Sequence, residues 1–286
     1  MEKVFLNDKL VDADKATVSV TDSGFLYGAG LFETMRSYNG VVFKLDAHLE
    51  RLFASAKAIS INNPYDKKYF ADAVYAVLRS NELADARLRL TVTGGSMSDS
   101  QEQRKLTLLI AATKLQPYPA EYYKKGVLVV LSAFRQNPAD PLCGHKTTSY
   151  YSRLISLNTA HQKKAAEALW FTTDNRLAEG CVSNIFLVKN SVLYTPLLNT
   201  PVLPGIMRKT VCEIASENSI QLVEKDLYID DLLDADEVFL TNVIMQVMPV
   251  VGVEKHTVGN GKVGAMMKKL KEYFDDFIKD KCVQNK

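Results

Sequence analysis

Lys146 lies in the stretch Gly144-His145-Lys146-Thr147-Thr148-Ser149-Tyr150, where one lysine is followed by hydroxyl groups rather than by other charges. A lysine attacks a carbonyl once desolvation or a neighbouring cation lowers its pKa enough to free the amine. Taken alone, Lys146 reads equally as a solvated lysine where a loop enters a helix. The chemistry therefore depends on partners elsewhere in the chain.

Three such partners stand out. Glu179, in Leu177-Ala178-Glu179-Gly180, follows a turn and precedes a strand, a position from which a carboxylate can keep a ring nitrogen protonated. Arg51 has the fork geometry that grips a phosphate. The segment Pro204-Gly205-Ile206-Met207-Arg208 opens a helix, and a helix start offers unpaired N–H groups to an anion. A lysine, a carboxylate and a phosphate cup are the requirements of pyridoxal phosphate. Separately, each is also compatible with an ordinary surface group.

Composition narrows the classes. The 286 residues carry 35 basic and 33 acidic side chains, a formal charge of +2, with the basic ones scattered, so nucleic-acid binding is not expected. Cys143, Cys181, Cys212 and Cys282 lie far apart without zinc spacing, and no metal site is expected. Met1 to Asn7 holds neither a signal core nor a transit pattern, and no uncharged run reaches membrane-spanning length. A soluble cytoplasmic protein without a membrane partner is expected.

Several elements must position these groups. Val4, Leu6, Leu10, Val18 and Val20 are spaced as strands about an Asn7-Asp8 turn. Leu31 to Tyr38 reads as a strand closed by the Asn39-Gly40 turn, with Val41 to Phe43 returning. Leu49, Leu52, Phe53, Ala56 and Ile59 mark a helix from Asp46, and a second helix spans about Lys67 to Ser80. Strands follow at 87–93 and 106–112. Two prolines in Gln116-Pro117-Tyr118-Pro119-Ala120 place a linker, giving domains 1–117 and 118–286. Beyond it, strands are expected at 127–133 and 168–172, a hairpin at 185–194 and a strand at 237–242. Helices are expected from Tyr150 to about Lys164, from Pro204 through Ile214, and from Val263 to Phe277.

Five motifs occur in order: Tyr27-Gly-Ala-Gly-Leu-Phe-Glu-Thr-Met-Arg36, His48-Leu-Glu-Arg-Leu52, His145-Lys-Thr-Thr-Ser-Tyr150, Leu177-Ala-Glu-Gly180 with Ser183-Asn-Ile-Phe186, and Leu203-Pro-Gly-Ile-Met-Arg208. Through them nearly the whole chain resembles the fold type IV pyridoxal phosphate enzymes, which include branched-chain and D-amino acid aminotransferases and aminodeoxychorismate lyases. The resemblance implies a D-amino acid aminotransferase-like α/β fold. In it a smaller N-terminal domain and a larger C-terminal one enclose the cofactor in a cleft, usually in a homodimer. It implies Lys146 as the Schiff-base lysine, Glu179 as the pyridine-nitrogen partner and Arg51 as a phosphate ligand. Gly205, Ile206 and Met207 then form the phosphate-binding turn, and Tyr150 meets the cofactor's ring hydroxyl.

Asn242 and Val243 begin the remaining motif, Thr241-Asn-Val-Ile-Met-Gln-Val-Met-Pro-Val250. Val243 stands where the aminotransferases of the family carry a hydroxyl that binds phosphate, and valine cannot donate. That run and the Gly-Ile-Met-Arg helix start resemble aminodeoxychorismate lyases, which release 4-aminobenzoate and pyruvate from a small-molecule amine. The alternatives are a branched-chain or D-amino acid aminotransferase, or a pyridoxal phosphate-binding module without catalysis. Arg89, facing opposite to Leu88 and Leu90, and Arg36 are candidates for a substrate carboxylate, and Thr34 for a proton-relay hydroxyl. The loops at 95–103 and 137–144, which would set specificity, carry no motif.

Overall fold

The computed structural model describes residues 2–100 and 104–283. Residues 101–103 of the first specificity loop lie outside the described residues. The chain forms two compact units, Met1–Gln116 with His145–Tyr150 and the chain end from Asp280, and Pro117–Gly144 with Tyr151–Lys279. Lys146 and Arg51 thus belong to one unit, whereas a single cut after Pro117 would separate them.

The first unit is built on an antiparallel sheet. Its elements are β1 (Lys3–Leu6), β2 (Lys9–Asp12), α1 (Ser23–Tyr27), β3 (Gly30–Tyr38), β4 (Val41–Val42), α2 (Leu45–Ala58), α3 (Lys67–Ser80), β5 (Ala86–Thr93) and β6 (Thr107–Lys114). The strand order is β2-β1-β6-β5-β3-β4. Asn39 (φ 50°) and Gly40 (φ 84°) are both left-handed, the conformation a two-residue hairpin needs. Leu31 and Met35 of β3 and Leu88, Leu90 and Val92 of β5 face a core closed by Leu49, Leu52, Phe70, Val74 and Val77 of α2 and α3. Val18 and Val20 are not strands. They are 45% and 74% exposed in an irregular segment, because alternation forms a strand only where a partner strand completes the ladder.

Lys146 does not open a helix. The Phe32 N–H donates to Lys146 O (2.9 Å), the Thr148 N–H donates to Gly30 O (2.9 Å), and Thr147 bridges Leu31. The stretch is laid along β3 as a short extra edge, and the helix begins only at Tyr151.

The second unit comprises α4 (Ala120–Lys125), β7 (Val127–Gln136), α5 (Tyr151–Gln162), β8 (Glu167–Thr172), β9 (Leu177–Gly180), β10 (Asn184–Lys189), β11 (Val192–Pro196), α6 (Ile206–Glu217), β12 (Leu222–Lys225), α7 (Ile229–Leu233), β13 (Glu237–Asn242), β14 (Gln246–Val253), β15 (His256–Thr257) and α8 (Ala265–Ile278). The sheet runs β12-β11-β10-β13-β14-β7-β8-β9, with β15 on β14. Its pairings are mixed: β7 lies parallel to β8 and β14, while β10, β13 and β14 meet antiparallel. One face carries α6 and α8 over Phe186 and Phe239, whose rings stack at 5.0 Å. The other buries Leu187, Val238 and Leu240 with Leu227 and Leu232.

Phe70 is fully buried, its ring 5.2 Å from that of Phe53 and also touching Tyr65 and Tyr69. Phe70→Ala is expected to cost about 3–5 kcal/mol. Urea unfolding should show a lower midpoint at unchanged slope, and a loss below about 1 kcal/mol would contradict this core.

Candidate active site

In the first unit, β3 and β5 present a second face. Thr34 lies directly across from Arg89, Phe32 across from Thr91 and Arg36 across from Arg87, so these six side chains share the side opposite the core. Lys146 Nζ sits 4.6 Å from the centroid of Phe32 and 5.9 Å from that of Tyr150, which meets Phe32 edge-on at 5.4 Å. The Arg89 guanidinium lies 3.3 Å from the same Phe32 ring. Burial, reinforced by Arg87, lowers the Arg89 pKa to about 10, which still leaves it charged at neutral pH. Register sets Thr34 beside Arg89, and the ring of Phe32 gathers Arg89, Lys146 and Tyr150. Arg36 lies further along the strand, over the ring of Tyr38 (4.3 Å).

Arg51 on α2 is held by a partner on the core side of β3. Its Nε donates to Glu33 Oε1 (2.8 Å) and its Nη2 to Oε2 (2.5 Å), a two-point fork. His48, one helical turn earlier, donates from Nδ1 to Glu33 Oε2 (2.7 Å). Burial opposes charge on Glu33, but Arg51 and His48 overcome it and hold the carboxyl down at about 2. Burial also pushes the His48 pKa down despite Glu33. The pair is then a carboxylate and a neutral imidazole, and His48 Nε2 is left buried without a hydrogen-bond partner.

In the second unit Glu179 lies within β9, opposite Trp170 on β8, rather than between a turn and a strand. Its Oε1 accepts from Arg153 Nη2 (2.6 Å) and its Oε2 from the Leu203 N–H (3.0 Å). Arg153 Nη1 also donates to Gly180 O (2.9 Å), tying α5 to β9. The turn after Glu179 is clamped by buried Glu167, which accepts from the N–H groups of Cys181 (2.9 Å) and Val182 (3.2 Å) and from Ser183 Oγ (3.0 Å). Burial raises the Glu167 pKa, against the pull of those donors.

The start of α6 fits an anion. Gly205 is the N-cap and supplies no side chain, so no side-chain acceptor covers the amides of the first turn. Asn242 has other work: Oδ1 accepts from the N–H groups of Ile244 (2.9 Å) and Met245 (2.8 Å), and Nδ2 donates to Val182 O (3.1 Å). Val243 is buried.

Glu33, His48, Arg153 and Glu167 were not among the residues expected from sequence. The spacing of His48 and Arg51, three apart on one helix, was the available signal for a shared partner. Arg153 and Glu167 left none, since the packing of α5 on β8 brings the first to Glu179 and the pairing of β8 with β9 brings the second to its turn.

Removing one partner of a buried pair leaves the other charge uncompensated, so Glu33→Gln is expected to cost about 3–5 kcal/mol. The Glu33 carboxyl is lowered on folding, so it stabilises above its ordinary value of 4.5, and that stability disappears as pH falls toward about 2. His48 acts in the same direction from 6.5 downward, because the unfolded imidazole takes up a proton that the folded one resists. Thermal melts between pH 7 and 3 should show a steeper acid loss in wild type than in the variant. Parallel curves would refute the assignment.

The family model described as amino-transferase class IV matches residues 30–253. A Methanocaldococcus jannaschii protein, named provisionally as a branched-chain-amino-acid aminotransferase, is 38% identical over 96% of each chain. The aminodeoxychorismate lyase of Bacillus subtilis is 30% identical over 90% of this chain and 88% of its own. The solved branched-chain amino acid aminotransferase of Escherichia coli superposes with a TM-score of 0.93 at 27% identity, covering 99% of this chain and 97% of its own. The chain therefore belongs to the class IV aminotransferase family of pyridoxal 5'-phosphate-dependent enzymes.

Proposed function

We propose that the chain is an aminodeoxychorismate lyase, converting 4-amino-4-deoxychorismate to 4-aminobenzoate and pyruvate. Among the features supporting this reading, the apolar side chain at Val243 carries it. The similarity to the Bacillus subtilis lyase supports it too. A second reading, a branched-chain aminotransferase, is favoured by the 38% identity to the Methanocaldococcus jannaschii protein.

Bound pyridoxal phosphate supplies an electron sink for the charge left when a proton leaves the substrate carbon that bears nitrogen. We assign Lys146 to hold the cofactor, and its Nζ would take that proton. Phe32 and Tyr150 limit the hydration of that amine. Glu179 keeps the pyridine nitrogen protonated. Its carboxylate already accepts from Arg153 and Leu203, and lone pairs remain for a third donor. Arg51, fixed by Glu33, and the Ile206 and Met207 amides bind the phosphate. Tyr150 meets the ring hydroxyl, and Arg89, with Arg36 further along β3, faces the substrate carboxylate. Thr34, opposite Arg89, relays protons.

We further assign the protein to a cytoplasmic homodimer. Among the described residues no helix is long and apolar enough to cross a membrane. Val20, Phe25 and Tyr27 of the first unit are 74%, 75% and 69% exposed, an apolar run suited to a second copy.

Purified wild type should be yellow, and borohydride should fix the cofactor to the peptide containing Lys146. Lys146→Ala should lose both the fixation and at least about 10³-fold of the rate, as for removal of a nucleophile and proton acceptor. Supplied with 4-amino-4-deoxychorismate, the enzyme should release pyruvate and 4-aminobenzoate in equal amounts without a keto-acid acceptor. Turnover only when a branched-chain or D-amino acid is paired with a keto acid would replace the lyase by an aminotransferase.

A further inference from the structure

Thr241, the last residue but one of β13, is 1% exposed, with its Oγ1 buried without a hydrogen-bond partner. A hydroxyl in that state has given up water with nothing in exchange, which native interiors rarely tolerate. Its surroundings indicate what would satisfy it.

Thr241 lies directly across from Asn184 of β10, so their side chains leave the sheet on one face, with Cβ atoms about 5 Å apart. Phe239, two residues before Thr241, and Phe186, two after Asn184, stack on that face, and α6 packs over it. Asn184 reaches the entrance of α6, donating from Nδ2 to Leu203 O (2.9 Å). A Cβ placed on Gly205 would fall 1.8 Å from Asn184 Oδ1, so backbone and side chain touch there. The unpartnered hydroxyl is thus one strand away from the side chain that abuts the uncapped first turn of α6, a helix of 12 residues. The side chains after Thr241 offer no substitute, because that of Asn242 is engaged in its own turn and that of Val243 has no donor.

We propose that Thr241 Oγ1 donates to the anion held at the start of α6, completing a cup whose other donors are the Ile206 and Met207 amides. It would thereby replace the hydroxyl missing at position 243. This rests on the assignment of the cofactor phosphate to that turn.

The test is ligand binding by the apoprotein, titrated with pyridoxal phosphate, with phosphate-free pyridoxal and with inorganic phosphate. Thr241→Val keeps the shape and removes the donor. It should weaken pyridoxal phosphate and inorganic phosphate at least tenfold and leave pyridoxal within twofold. Thr241→Ser should stay within twofold for all three, and Val243→Thr in the Thr241→Val background should recover affinity for the phosphorylated ligands. Thr241→Cys, similar in size with a weak donor, should shift affinity in the same direction as Thr241→Val and serves if the latter does not fold. Equal phosphate affinity in wild type and the donor-deficient variants, or an equal loss for pyridoxal, overturns the role of Thr241 alone. Failure of inorganic phosphate and pyridoxal phosphate to compete in wild type overturns the phosphate cup itself, and this proposal with it.

Discussion

The position of Lys146 is set by backbone, not by charge. Two main-chain hydrogen bonds and a bridge stitch residues 146–148 to the start of β3, and Thr148 Oγ1 adds a bond to Gly28 O (2.6 Å). His145 is pinned on the other side by Ser55 of α2, Nδ1 to Oγ at 2.9 Å. A lysine carries four rotatable bonds and loses substantial entropy on being ordered. Fixing its Cα by a ladder leaves only the side chain to be restrained, and the faces of Phe32 and Tyr150 restrain it. The same strand delivers Phe32 and Thr34 to one face and Glu33 to the other, so the period-2 geometry of β3 sorts aromatic support from the anchor of Arg51.

Three buried glutamates show how environment assigns different work to one side chain. Glu33 meets a guanidinium fork and stays ionised. Glu167 meets mainly neutral amide and hydroxyl donors, and burial raises its pKa. Glu179 accepts from one guanidinium and one amide, and its carboxylate keeps lone pairs for a further donor. Burial alone does not separate the three, since all are 4% exposed or less. The donor set does.

Much of this was legible in the residues. Strong alternation at 86–93 and apolar periodicity at 45–58 and 67–80 gave elements within a few residues of those observed. The Asn39-Gly40 turn was readable because its residues suit left-handed backbone, and the hairpin read around Lys189-Asn190 turns one residue later, at left-handed Asn190 and Ser191. Val18 and Val20 misled because strand formation depends on a partner that local pattern does not specify. The helix α4 went unread because six residues after a proline make less than two turns, too few to show a recurring apolar face. Within the candidate site, the lysine, Glu179 and the Gly205 turn were visible through their motifs. Arg153 and Glu167 were not, because their contacts join β9 and the turn after it to residues 14 to 27 positions away.

The excursion of residues 145–150 into the first unit also governs how the molecule can be taken apart. A gene fragment ending at Gln116 would encode β3 without the peptide that lies along it, and one starting at Pro117 would carry Lys146 without its scaffold. Homologue recombination at the Pro117–Pro119 junction, which looks like a natural crossover, would pair a β3 from one parent with a lysine stretch from another. Functional chimaeras should therefore cross after Tyr150 rather than at the prolines, so that both segments travel together.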